Sequence, residues 1–142
     1  MERKCSNLPY LLLMQTSKAV QERMRLELAK NNISITEFSV LEVLYHKGRQ
    51  TINEIGNRVL ITSGSMTYVI DKLENRGLLK RIACPNDRRA IHVTLTNDGN
   101  NLLEKIMPEH QELVDFIFDS LEDGEKEIIV TILQKIKEKV EN

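Results

Sequence analysis

The chain has 142 residues, 29% of them charged, and a net charge of only −1. That length suits one ordinary domain, or a domain with an appendage, and the longest apolar run, Leu11 to Met14, is far too short to span a bilayer. Two cysteines, Cys5 and Cys84, are too few for a disulfide framework, and the N-terminal stretch lacks a signal peptide's cleavage site, so a cytoplasmic protein is expected.

Pro9 suits the first turn of a helix, and apolar residues from Leu13 to Leu28 recur near helical spacing until Asn31 and Asn32. In "SITEFSVLEVLYHKG", Thr36 is the expected cap, Phe38, Leu41, Val43, Leu44 and Tyr45 form the apolar stripe, and Gly48 ends the helix. "TINEIGNRVL" reads as a short third helix with Ile52, Ile55 and Val59 on one face. A fourth helix follows, capped by Thr62 or Ser63, with Met66, Val69, Ile70 and Leu73 inward and an αL-type stop at Gly77. "LLKRIA" and "AIHVTL" alternate as two strands, and "CPNDRR" between them reads as a turn. Thr96 or Asn97 caps a long fifth helix, in which Pro108 predicts a kink or a division into two helices. From Glu122 the residues Ile128, Ile129, Ile132, Leu133, Ile136 and Val140 mark an amphipathic last helix.

Helix, short helix, helix, strand, turn, strand from Thr36 to Leu95 is a helix-turn-helix followed by a hairpin, a winged helix. The charge distribution agrees. Gly48–Asn97 carries an excess of +4 and Asp98–Asn142 an excess of −7, a basic module on an acidic scaffold. On the fourth helix Ser65, Thr67, Tyr68, Asp71, Lys72 and Asn75 must face outward, while Ser63 and Gly64 lie in the first turn, where free N–H groups favour a phosphate. Small hydroxyl side chains let a helix seat deeply in a major groove. Tyr68 adds an amphipathic reader, and Lys72 adds a phosphate contact.

Three stretches resemble the MarR family of bacterial transcriptional regulators: "ITEFSVLEVL", "ITSGSMTYVIDKLENRGLLKR" and "PNDRRAIHVTLTNDG". The last is the most specific, matching the family's Asp-x-Arg, strand, Leu-Thr-x-x-Gly pattern with Asp87, Arg88, Arg89, Leu95, Thr96 and Gly99. The resemblance implies a mainly α fold with a small β-hairpin wing: a winged helix-turn-helix lobe over 34–97, an N-terminal dimerisation helix over 1–33, and C-terminal dimerisation helices over 98–142. It implies a homodimer straddling a palindromic double-stranded DNA site. It implies a repressor of a stress, detoxification or efflux operon, released by a small, phenolic ligand or an electrophile. Thr62, Ser63, Gly64, Ser65, Thr67, Tyr68 and Lys72 would face the DNA, with Arg89 in the minor groove, Asp87 as its brace and Arg88 near the phosphates. The Ile-rich stripe of the last helix agrees, since a dimer mate would cover it, as would the chain's own fifth helix.

Some members sense oxidants through a cysteine near the first helix. Cys5, beside Arg3 and Lys4, is the candidate here, against a functionless tail cysteine. Tyr10, Met14, Phe38 and His46 are candidates to line an effector pocket, or else core residues. The histidines and Cys84 lack metal-ligand spacing, so neither metal nor other cofactor is expected. No Gly-rich phosphate loop or Gly-x-Ser-x-Gly elbow occurs, which argues against an enzyme. Two alternatives stand beside the regulator: a thiol-based sensor using Cys5, and a helical adaptor that does not bind DNA.

Overall fold

The computed structural model describes residues 7–59, 63–84 and 86–142, with the side chains at 63–64, 84 and 87–90 excepted. Among the described residues the elements run α1 (Leu8–Ala29), α2 (Ile35–Lys47), β1 (Gln50–Thr51), α3 (Ile52–Arg58), α4 (Ser63–Asn75), β2 (Leu79–Cys84), β3 (Asp87–Leu95), α5 (Asn97–Ile117) and α6 (Asp123–Glu141). Helix, turn, helix and hairpin follow in the expected order, and the fold is mainly α with a small antiparallel wing.

Local chemistry sets most of the boundaries. α1 ends in a Schellman motif: the Ile33 N–H donates to Leu28 O and the Asn32 N–H to Ala29 O, with Asn32 at φ 55°. α4 closes the same way, with Leu78 N–H to Leu73 O and Gly77 N–H to Glu74 O, and Gly77 at φ 74°. The cap of α2 is Ser34, not Thr36. Ser34 Oγ accepts from the Glu37 N–H and Glu37 Oε1 accepts from the Ser34 N–H, both at 3.1 Å. Two hydroxyl residues compete there, and only Ser34 has a Glu three residues on to complete a capping box.

The sheet order is β1–β3–β2, so β3 is central. β1 is only two residues long and leaves no alternation to read in the sequence. The β2–β3 ladder is regular from Leu79↔Leu95 to Ala83↔Ile91, then jumps to Cys84↔Asp87. One step along β2 thus spans four along β3, and the ladder skips residues 88–90. The segment expected to be a turn is therefore mostly strand, and both arginines lie in its irregular stretch.

One apolar cluster unites Leu28 of α1, Val40, Leu41 and Leu44 of α2, Ile55 of α3, Ile70 and Leu73 of α4, Leu79 and Val93 of the wing, and Leu103 and Ile106 of α5. α5 runs through Pro108 as one helix, although that residue cannot donate to the Glu104 carbonyl. The chain divides at that proline into two compact units, the first ending at Met107 and the second being Pro108–Asn142. Within the second, no side chain of α6 is buried. No helix among the described residues is long and apolar enough to cross a membrane.

Candidate nucleic-acid interface

α3 opens on Thr51, whose hydroxyl accepts from the Glu54 N–H at 3.1 Å, and it buries Ile55 completely. α4 buries Met66, Val69, Ile70 and Leu73, the stripe its sequence spacing predicts. The opposite face leaves Ser65, Thr67, Tyr68, Asp71, Lys72 and Asn75 exposed, with Tyr68 at 68%. An exposed tyrosine flanked by small hydroxyl residues on a buried apolar base is a surface built to meet something polar. Thr62 lies outside the described residues, as do the side chains of Ser63, Asp87, Arg88 and Arg89. The backbone at 63–64 nonetheless forms the first turn of α4, and that at 87–89 belongs to β3.

The charged groups on α4 have partners that sequence spacing did not disclose. Glu37, 5% exposed, is the buried charged residue among those described. Arg76 Nη1 donates to its Oε2 at 3.0 Å, and Lys72 Nζ stands 4.0 Å from its Oε1. α4 is thereby tied to the N-terminus of α2. Lys72, expected as a phosphate contact, shares its charge with this carboxylate. Burial pushes the Glu37 carboxyl upward, but hydrogen bonds from Ser34 together with Lys72 and Arg76 outweigh it and hold the group below the usual carboxylate range. The only sequence trace of this hub was the Ser-x-x-Glu box; its cationic partners are 35 and 39 positions away in sequence.

Folding therefore favours the charged form of Glu37. Its stabilising contribution is complete above the unfolded-chain value of about 4.3 and is lost as pH falls through that value and then the lower folded one. Stability measured by denaturant melts should decline below about pH 5. Glu37→Gln, which can still form a capping box, should be less stable at neutral pH and show a shallower decline. Identical acid slopes for the two proteins would remove Glu37 from that response.

The end of the wing is fastened as firmly. Thr96 Oγ1 accepts from the Gly99 N–H at 3.1 Å, which makes Thr96 the cap of α5, and donates to Gly77 O at 2.5 Å. The Leu-Thr-x-x-Gly pattern thus joins the end of β3, the start of α5 and the stop of α4.

The candidate effector residues are spread out. Phe38 is in the core, Tyr10 and Met14 are exposed on the first half of α1, and His46 is near the end of α2 with its Nε2 4.0 Å from Glu42. Met14 lines a shallow cleft of about 350 Å³ with Ser17, Lys18, Gln21, Arg25 and Ile35; the other three do not line it. Cys5 lies outside the described residues.

Residues 33–91 match the model of the MarR family. The Bacillus subtilis HTH-type transcriptional regulator MhqR is 38% identical over 127 residues, 89% of this chain and 88% of that protein. The chain belongs to the MarR family. It is accordingly a winged-helix transcriptional regulator. Among solved structures, Bordetella bronchiseptica BpsR, whose DNA binding is regulated by 6-hydroxynicotinic acid, superposes with a TM-score of 0.85 at 26% identity, covering 96% of this chain and 98% of that one. Sco3205 from Streptomyces coelicolor, solved in complex with DNA, shares the fold at a TM-score of 0.90 and 19% identity, covering 100% of this chain and 93% of that one.

Proposed function

We propose that this MarR-family protein is a homodimeric repressor that binds a palindromic operator and is released by a small phenolic ligand or an electrophile. The observation that carries the DNA contact is the α4 face, with Ser65, Thr67 and Tyr68 exposed above a buried stripe and the arginine-bearing β3 in the same compact unit. In this reading the lobe over 34–97 reads DNA and the segments 1–33 and 98–142 pair two copies. Support for pairing comes from the exposed apolar side chains of α1 (Tyr10, Leu12, Met14) and α6 (Ile128, Ile132, Ile136). BpsR, whose DNA binding responds to a hydroxylated aromatic acid, supports a small-molecule effector. The genes controlled belong to a stress, detoxification or efflux response, and the protein works in the cytoplasm.

The test is equilibrium binding to a duplex that the wild-type protein selects from a random pool, repeated over a salt series. Affinity should fall steeply with salt as phosphate counterions are displaced. Arg89→Ala should weaken binding roughly tenfold for all sequences and erase a preference for A·T flanks, because minor-groove arginine reads groove width and potential. Failure to select any duplex would favour the adaptor reading, and an unchanged flank preference would remove Arg89 from the minor groove.

A further inference from the structure

We propose that Arg81 is a positioning residue that locks the wing to the recognition helix, so that the two DNA-contacting elements read the duplex as one rigid body. The proposal rests on the DNA-binding reading of α4 and the wing, and on a separate cluster of contacts. Arg81 lies on β2. Its Nη2 donates to Asp71 Oδ1 at 2.5 Å and its Nη1 to Glu74 Oε1 at 2.6 Å. Its backbone N–H donates to the other oxygen of the same Glu74 carboxylate, Oε2, at 3.0 Å. Asp71 and Glu74 are three apart and share one face of α4, so a single guanidinium spans a helical turn. Three donors of one strand residue thus grip two carboxylates of the helix, a task for the planar fork of arginine rather than the point charge of lysine.

The position along the strand matters more than the energy. The Arg81 side chain is 25% exposed and its partners more so, so the pairs add little to global stability. Leu78 and Leu79, buried where β2 leaves the helix, already fix the root of the hairpin. β1 holds the β3 side of the sheet at His92 and Val93, which leaves the β2 edge free to shift against α4 beyond its root. Arg81 adds a second anchor about 6–7 Å further out and removes that freedom. Beyond it lies the irregular stretch of backbone that carries Arg88 and Arg89. The same contacts also neutralise two carboxylates on a helix that must approach phosphates.

The test uses the full chain with Cys5→Ser and Cys84→Ser, spin-labelled through Asn75→Cys on α4 and Asn86→Cys at the hairpin tip. Double electron–electron resonance on the free protein, with labelled chains diluted in excess unlabelled chain so that distances within one chain dominate, should give a narrow distance distribution. Both Arg81→Gln and Arg81→Lys should broaden it while leaving Tm close to the parent. In binding to the selected duplex, both variants should keep the base preferences read by α4 yet lose the preference for A·T over G·C flanks, by roughly tenfold in the ratio. Asp71→Asn combined with Glu74→Gln should lose that ratio too, although it makes the surface more positive. If these carboxylates only repelled DNA, the double variant would bind more tightly with its flank ratio intact, and the positioning role would be overturned. An unbroadened distribution in Arg81→Gln would overturn it as well. A wild-type chain that selects no duplex would end the DNA-binding reading, and the distance distributions would still decide the clamp.

Discussion

Gly99→Ala is expected to destabilise the protein by at least about 3 kcal/mol and to lower Tm by roughly 10 °C. A Cβ at this position overlaps the Leu78 carbonyl oxygen, and lies only 3.0 Å from the Leu78 carbonyl carbon and 3.2 Å from Leu95 Cδ2. The first two are main-chain atoms. The Leu78 oxygen also accepts from the Thr96 N–H at 3.2 Å, so moving it breaks the junction of wing and α5. The Leu95 side chain can yield, but the Leu78 main chain cannot. Gly56→Ala supplies the contrast: its Cβ meets nothing within 4 Å inside α3, so the change should stabilise by up to about 1 kcal/mol. Thermal melts of the two variants should move in opposite directions. If Gly99→Ala melts with the parent, α5 does not pack against Leu78 as described.

The second large effect concerns association. Ile132 and Ile136 are exposed along α6, where no residue is buried. In the proposed homodimer each is covered by the partner, so Ile132→Glu with Ile136→Glu alters four interface side chains by symmetry. At about 1.5–3 kcal/mol for each buried isoleucine, the dissociation constant should rise by at least roughly four orders of magnitude. Light scattering should then report a species near the 16.4 kDa monomer, against twice that for the parent. Helicity by circular dichroism should persist, since neither side chain supports the fold of its own unit. A parent that is already monomeric at micromolar concentration would refute the pairing, and the palindromic operator with it.

Much of the architecture was readable in the sequence because it rests on short-range rules. The Met66–Val69–Ile70–Leu73 stripe, the stops at Gly48 and Gly77, and the order of the helices and the two hairpin strands follow from periodicity and turn chemistry, whereas the two-residue β1 leaves no such trace. The exposed face of α4 follows from the same wheel. What escaped depends on distance in sequence or on competition between like residues. Ser34 and Thr36 both carry a capping hydroxyl, and the partner at Glu37 decides between them. Arg76 reaches Glu37 across 39 positions, and no local pattern announces it. Arg81 counted only as positive charge until the fold set it against Asp71 and Glu74. Arg88 and Arg89 read as a turn because Pro85, Asn86 and Asp87 are turn formers, whereas the Cys84↔Asp87 pair starts β3 at Asp87 and so carries both arginines within the strand's irregular stretch.

A small open sheet has a hazard that its size does not remove: each border strand can recruit a strand from another molecule. Here one border is β1, too short to template much. The other is β2, where Lys80 and Arg81 place charge and the Glu74 carboxylate already occupies the outward N–H of Arg81. The ladder jump after Ala83 spoils the straight run that an incoming strand would need. The grip that aims the wing therefore also protects it from polymerisation, which matters for a protein that two-fold pairing and a shared operator would bring into close company with its own copies.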